Sequence, residues 1–394
     1  MNVLYIGEMG DAVNSLLALS RIASKVMIIN TDLTHFYNEV PGMKSAIGSS
    51  CRVWNYYESR GSLAGNIPPR ARKLWRYFIC LLGVSILRFI NRGSNEVATV
   101  KKIIEEENIQ LVFASWGTDV IPDIIFLRTI YPELPIIHHL ATFPTSQTSW
   151  FREKIEIFLL GKAKHLVQGF VAASNKMKEL LVKEYGLREQ SILVCPIYYT
   201  SEYFAKERLS LLSDKDHESH LVCTGSTNFS YPGNNVIGKI LEITHSKIHV
   251  HCIKFESQGV SDPYLHLFEK FDTPEMVNGA LATFLTQFDG CLVLYNAPAQ
   301  RLRYEFSVPQ RFLFSFAAGI PVFIPKGIFR RCEEIVEQYQ NGIVYQNVEE
   351  LNTVLHDVKT MKLLKNNASK ISNRFGFEAQ AGQLSSFLST YLKN

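Results

Sequence analysis

Three arginines, Arg301, Arg303 and Arg311, fall within the stretch Cys291–Pro325, CLVLYNAPAQRLRYEFSVPQRFLFSFAAGIPVFIP. A guanidinium presents parallel N–H groups to a phosphate and forms charge-assisted bonds, so arginines gathered in one loop point to a phosphate-bearing ligand. The flanking residues say where that loop belongs. Cys291–Tyr295 and Pro321–Ile324 are apolar and strand-like, and between them lie the polar segment Asn296–Arg311 and an apolar run closed by Gly319. This order predicts a strand, a charged loop, a helix stopped by glycine and a second strand. Parallel α/β sheets bind ligands at the loops beyond the carboxyl ends of their strands, which makes Asn296–Arg311 the expected anion site. The alternative for the same arginines is a solvated loop without a ligand.

Other residues with chemical capacity recur at predicted strand ends. Gly7-Glu8-Met9-Gly10 follows the apolar run Asn2–Gly7, and Gly225-Ser226 follows His220–Thr224. Glycines there let backbone approach a ligand, and a turn opening a helix offers N–H groups to an anion. The full GxGxxG spacing is absent, which argues against a dinucleotide site. Asp119 lies just beyond the strand Gln110–Ala114, and His138 and His139 end the strand Pro135–Leu140. Adjacent strand residues point to opposite faces, so at most one of the two histidines faces a ligand. A neutral imidazole there is a candidate base toward a hydroxyl, and a packed core histidine is the alternative.

The elements that must hold these groups alternate strand and helix along the chain. In the first half, strands are expected at Asn2–Gly7, Val26–Asn30, Gln110–Ala114, Pro135–Leu140, Gly169–Ala173 and Ile192–Val194, with helices between them. Ser174 occupies an N-cap position before Lys176–Tyr185. The polar segment 201–219 reads as a hinge. The second half restarts with His220–Thr224 and continues through Val236–Thr244, Ile248–Ile253, Pro274–Gln287, Ile343–Tyr345, Val348–Leu364 and an amphipathic tail, Phe377–Leu392. The expected fold class is α/β: a Rossmann-like domain over 1–200, a hinge over 201–219, a second Rossmann-like domain over 220–372 and a C-terminal helix over 373–394 crossing back to the first domain.

With 394 residues and 46% hydrophobic content, the chain can bury two ordinary cores, and a net charge of +4 is too mild to imply nucleic acid. The seven cysteines form no CxxC pair and sit in apolar runs, which suits reduced thiols in the cytoplasm and excludes a zinc framework. Met1 leads directly into a strand pattern, with no signal segment before it. No metal cluster, P-loop or Ser-His-Asp arrangement is legible. Residues 70–92 combine Arg70, Arg72, Lys73 and Arg76 with the apolar run Leu74–Ile90. A helix there is about 25 Å long, short of the ~30 Å hydrocarbon core. It is read either as packed on the first sheet or as an interfacial helix held at the inner face of an anionic membrane.

Four segments taken in order resemble glycosyltransferases of the GT-B fold, closest to family 4. GFVAASNKMKELLVKEYGLREQSILVCPIYYTSEYF resembles the end of that family's first domain, and LVCTGSTN the first strand and glycine turn of its donor domain. PQRFLFSFAAGIPVFIP resembles its nucleotide-sugar segment, P-x-K-x-x-E-x-x-A-x-G-x-P-V, and NGIVYQNVEEL the strand and helix that follow. The resemblance implies two domains facing across a cleft and retaining, metal-independent transfer with no cofactor beyond a nucleotide-sugar co-substrate. The acceptor it implies is a glycan or lipid-linked hydroxyl. It places Arg311 on the family's Lys, beside Pro309, Arg301 and Arg303, with Gly225 and Ser226 at the donor turn. Gly7, Gly10, Asp119 and His138 or His139 fall on the acceptor side. The family's ribose-binding Glu is replaced by Phe314, and its earlier Glu falls on Phe306 with Glu305 beside it. A lost carboxylate bonded to the ribose hydroxyls removes ~3–6 kcal/mol if its bonds are additive. Either Glu305 or another group substitutes, or the donor binds differently, or the chain is a degenerate GT-B protein serving as a binding or scaffold partner.

Overall fold

The computed structural model describes residues 1–7, 13–30, 43–48, 51, 53–58, 95–118, 120–144, 150–225, 235–254, 261–296 and 302–392. The chain forms two compact units, Met1–Ile197 with Gln380–Asn394, and Tyr198–Ala379.

The first unit contains β1 (Asn2–Gly7), α1 (Val13–Ile22), β2 (Lys25–Asn30), α2 (Met43–Gly48), β3 (Trp54–Glu58), α3 (Asn95–Glu106), β4 (Leu111–Ser115), α4 (Ile121–Ile130), β5 (Ile136–Leu140), α5 (Trp150–Ala163), β6 (Gly169–Ala172), α6 (Asn175–Tyr185) and β7 (Ile192–Val194). Its seven strands run parallel in the order β3-β2-β1-β4-β5-β6-β7. Strands covered on both faces read as continuous apolar runs, and β4 and β5 are buried at every residue. Ser174 Oγ accepts from the Met177 backbone N–H at 3.2 Å, and Gly186 ends α6 in the left-handed region, where a side chain would be strained. Sheet order reverses between β1 and β4, so the carboxyl ends of these two strands flank a topological switch point.

The second unit repeats the plan with α7 (Ser213–Asp216), β8 (His220–Cys223), α8 (Ile237–Thr244), β9 (His249–Ile253), β10 (Leu265–Phe268), α9 (Thr273–Val277), α10 (Ala280–Leu285), β11 (Gly290–Leu292), α11 (Leu302–Phe306), α12 (Gln310–Ala318), β12 (Val322–Pro325), α13 (Arg330–Tyr339), β13 (Gly342–Tyr345), α14 (Val348–His356) and α15 (Val358–Ile371). The order β10-β9-β8-β11-β12-β13, again parallel, puts its switch point between β8 and β11. One core face gathers Leu221, Val250, Leu292 and Phe323 under α8 and α14, and the other gathers Val293, Phe312, Phe316 and Val322 under α12 and α13. The last helix, α16 (Glu378–Ser389), lies where the chain returns to the first unit. There Gly169 leaves room for Tyr391, whose Oη would stand 2.7 Å from a Cβ at that position.

Several sequence expectations are revised. Segment 201–219 is not a hinge: it belongs to the second unit and is bonded along it, from Ala205 N–H to Ala317 O at 3.0 Å to Leu212 N–H to Gln287 O at 3.0 Å. The chain changes unit after Ile197 and again after Ala379. Pro274–Gln287 is two helices, because Gly279 at φ 85° breaks the run. Val348–Leu364 breaks at Asp357, whose side chain caps a new helix. The six described cysteines are free, five of them buried, and burial pushes the thiols of Cys195, Cys252 and Cys291 up to about 12. No helix among the described residues is long and apolar enough to cross a membrane, and the run 70–92 lies outside them.

Gly342 tests the second sheet. A Cβ there would lie 1.9 Å from Val322 O, on the strand it pairs with. Backbone cannot yield as a flexible side chain does, so Gly342→Ala is expected to cost about 3 kcal/mol or more by urea unfolding.

Candidate functional site

The best-defined constellation stands at the switch point of the second unit. After β8 the chain turns through Gly225 at φ 88°, and after β11 it extends through Val293 to Asn296. Pro309 precedes α12 with φ −72°, the angle its ring imposes, and so sets Arg311 in the first turn of that helix. The Arg311 side chain runs back over the sheet edge. It is 3% exposed, Nη1 donates to the Leu294 carbonyl, and Cζ lies 4.4 Å from the Tyr295 ring centroid. A Cβ at Gly225 would stand 2.8 Å from Arg311 Nε, so the missing side chain makes the space the guanidinium fills. Burying a cation is costly unless carbonyl dipoles and an aromatic face replace the lost water, and both are supplied here.

A second cation reaches the same edge. Lys239, from α8, donates to the Tyr295 carbonyl at 2.8 Å, and burial draws its pKa below the ordinary lysine value. The sequence reading missed Lys239. The available signal was a lysine in the first turn of the helix after the glycine turn, on the expected ligand edge.

The remaining donor-side candidates are distributed unevenly. Arg303 and Glu305 lie half-buried on α11, alternating along the chain with the buried Tyr304 and Phe306. Arg301 and Ser226 lie outside the described residues. Phe314 is 5% exposed and packs on Tyr199 and Tyr203, with ring centroids 4.8 and 6.5 Å away. Tyr199 and Tyr203 stack on each other at 4.3 Å and 9°. Where the resemblance places a ribose-binding carboxylate, this chain has an aromatic cluster.

The first unit has a parallel arrangement. Gly7 pairs with Ser115 across β1 and β4, and a Cβ at Gly7 would lie 2.7 Å from Tyr5 Oη and 2.9 Å from Ser115 O. Ser115 Oγ stands 2.9 Å from His139 Nδ1 and 3.5 Å from Ser15 Oγ on α1. Trp116 and Gly117 then take positive φ, 86° and 72°, which aims the Gly117 carbonyl at His138 Nε2, 2.5 Å away. Sequence reasoning missed Ser15 and Ser115, because a serine ending an apolar strand carries no distinctive spacing.

The two histidines are both packed in the core, the alternative the sequence offered for them, at 0% and 2% exposure. Burial pulls His138 down to about 4 and His139 to about 3, leaving both neutral near pH 7. The physical reason is cover on both faces of β5: His138 lies against Gly117 and Phe170, and His139 against Ser115 and Phe113. Asp119 and Gly10 lie outside the described residues.

No family model and no curated protein matches the chain. Solved structures do. HepE of Anabaena in complex with UDP and glucose superposes with a TM-score of 0.65 at 15% identity, over 99% of this chain and 100% of that one. Sucrose-phosphate synthase of Thermosynechococcus elongatus gives 0.62 at 12%, over 99% of each. WaaG, a glycosyltransferase involved in lipopolysaccharide biosynthesis, gives 0.57 at 11%, over 98% of this chain and 99% of that one. The chain has the GT-B fold. In this GT-B chain Gly7 and Gly225 each lie at the switch point of their own sheet.

Two outcomes follow from this geometry. Gly225→Ala combines a positive φ with displacement of Arg311, and is expected to lower stability by ~1–3 kcal/mol in thermal unfolding. For the histidines, the unfolded chain takes up protons below its pKa of about 6.5, whereas the folded chain does so only near 4 and 3. Stability is therefore full above pH 6.5 and falls as pH drops toward 3–4, and His139→Gln flattens that fall in urea unfolding measured across pH.

Proposed function

We propose that this GT-B chain is a glycosyltransferase moving a sugar from a nucleotide donor to a hydroxyl of a glycan or lipid-linked acceptor. The observation that carries this reading is the buried Arg311 guanidinium against Gly225, on the sheet edge where ligands bind in this topology. Sugar transfer from such a donor builds negative charge on the departing diphosphate. Fixed cations in a dry site stabilise that charge without reorganisation during the reaction. Arg311 is one such cation and Lys239 another, and an arginine–phosphate bond contributes ~1.5–3 kcal/mol. HepE, solved with UDP, with UDP-glucose and with UDP and glucose, lends support to a uridine nucleotide sugar as donor. The family 4 resemblance adds a retaining, metal-independent course. The Gly7–Ser115 edge of the first unit takes the acceptor, with His139 holding the Ser115 hydroxyl in place rather than acting as base.

Phe314 favours a second reading, a degenerate GT-B partner protein. Its ring is engaged with Tyr199 and Tyr203 where the family resemblance calls for a carboxylate. Titration calorimetry with UDP-glucose separates the two. A transferase shows saturable binding, and Arg311→Gln weakens it about 10- to 100-fold. The absence of heat at millimolar donor, with the chain shown to be folded, assigns the scaffold role.

We also propose contact with the inner face of a membrane. On α5, Trp150, Phe151 and Phe158 are 65, 70 and 48% exposed, and Lys154 lies 5.7 Å from the Trp150 ring and Lys162 5.5 Å from that of Phe158. Aromatic rings interleaved with lysines suit an anionic lipid interface. Trp150→Ala with Phe151→Ala is expected to move the protein from the pellet to the supernatant when it is spun with anionic liposomes. Equal pelleting of wild type and variant removes this surface from the account.

A further inference from the structure

Four histidines collect on one face of the second sheet, away from Arg311. His220 opens β8, His249 and His251 alternate along β9, and His266 lies on β10. Their registers bring them side by side: His220 pairs with His249, and His251 with His266. The rings stack, with centroids 4.4 Å apart for His220–His249 and 4.5 Å for His251–His266. Two hydrogen bonds tie the outer pair to the inner: His220 Nδ1 to His251 Nε2 at 3.0 Å, and His249 Nδ1 to His266 Nε2 at 2.7 Å.

The other ring nitrogens of the outer pair meet carboxylates. His220 Nε2 is 2.9 Å from Asp216 Oδ2, and His249 Nε2 contacts Glu218 Oε2. Asp216 is itself oriented, since its Oδ1 accepts from the Glu218 backbone N–H at 3.0 Å. Donor atoms of Asp216, His220 and His249 all lie within 4.8 Å of one another.

We infer that Asp216, His220 and His249, with Glu218 beside them, form a binding site for a divalent transition-metal ion, zinc being the cation that two imidazoles and carboxylates suit best. The ligand nitrogens are Nε2 of His220 and His249. Each imidazole bonds its Nδ1 to a second imidazole, His251 or His266, so Nδ1 can hold the ring proton as an outer-sphere donor once Nε2 releases its own proton and exchanges the carboxylate contact for the ion. Zinc holds N and O ligands at ~2.0–2.2 Å in a tetrahedron, so donor atoms come to roughly 3.3–3.6 Å from each other. Closing from the observed spacing takes about an ångström. The two imidazoles stack at 11°, so binding turns their rings until the Nε2 lone pairs converge, and the carboxylates, 45 and 48% exposed at the end of α7 and on the turn after it, give up their contacts to Nε2 and close on the ion.

The site's place defines its role. His220 and His249 are the first residues of their strands, whereas Gly225 lies beyond the last residue of β8. The metal edge is thus the amino edge of the sheet and the Arg311 edge is the carboxyl edge. A metal there joins the Ser213–Ser219 turn to the sheet, next to Asp289. That buried carboxylate already takes bonds from Ser213 Oγ, the His220 N–H and Lys365 Nζ at 2.8, 2.9 and 2.7 Å. The ion stabilises the second unit and takes no part in transfer. Sequence spacing hid the set, because its ligands come from a turn and two strands whose register no linear motif encodes. The proposed site departs from the sequence expectation that no metal cluster is legible.

The test uses the full-length chain without an affinity tag, stripped by chelator and titrated with zinc chloride in calorimetry. Cobalt chloride serves as the spectroscopic probe. The expected result is one zinc per chain, a tetrahedral cobalt absorption band, and a melting temperature that rises with zinc. Asp216→Asn with Glu218→Gln, both at exposed positions, is expected to weaken zinc about 100-fold and abolish the zinc-dependent rise in melting temperature. His266→Asn, which removes an outer-sphere partner only, is expected to weaken zinc about 10-fold. UDP-glucose binding should survive chelation, so failure here is distinguishable from failure of the transferase reading. Zinc affinity unchanged in the carboxylate and His266 variants, or no zinc bound at hundredfold molar excess, overturns the site.

Discussion

Arg311 is a cation kept almost out of water by an absence, the missing side chain of Gly225. The Leu294 carbonyl and the Tyr295 ring replace the hydration that the guanidinium gives up, and Pro309 sets the helix start from which it projects. Each depends on the others. A side chain at 225 would expel the guanidinium, a different exit from β11 would remove its carbonyl, and a different entry to α12 would aim it elsewhere. Lys239 strengthens the same edge through the Tyr295 carbonyl. Positive charge is thereby held at the carboxyl end of the sheet, where parallel α/β folds receive anions.

The first unit solves a similar packing problem with neutral groups. Gly7 admits the Tyr5 hydroxyl, and Ser115 bonds to His139, whose burial keeps it uncharged. A buried neutral imidazole positions a hydroxyl well, and it costs stability when acid forces protonation on unfolding. Among the described residues the second unit carries a buried charge at its switch point, Arg311, and the first a neutral pair, Ser115 bonded to His139. Phe314 belongs to this division. Its ring packs at a tilt against the stacked Tyr199 and Tyr203 and leaves the chemistry of α12 to Arg311.

Much of the architecture was legible because buried parallel strands are continuous apolar runs. β1, β5, β6 and β7 appear within a residue or so of their sequence limits. β3 and β10 escaped detection because Trp54–Glu58 and Leu265–Phe268 are short and mixed in polarity. The breaks at Gly279 and Asp357 depend on a positive φ and a side-chain cap, which hydrophobic period does not register. For the site, Arg311 and Gly225 were visible as residue types in the right order. The contact between them was not, and neither were Lys239 or the His220–His249 pairing, since each rests on strand register. His138 and His139 were placed on the right strand, and the choice between packed core and ligand edge was left open, because sequence does not show what covers each face of β5.

The most direct measurement is a crystal structure of the chain with UDP-glucose. The account predicts the diphosphate beyond the carboxyl ends of β8 and β11, with an oxygen within hydrogen-bonding reach of Arg311 or Lys239 and the Gly225 turn against the phosphate. A diphosphate bound elsewhere on the chain, with Arg311 and Lys239 untouched, would contradict it.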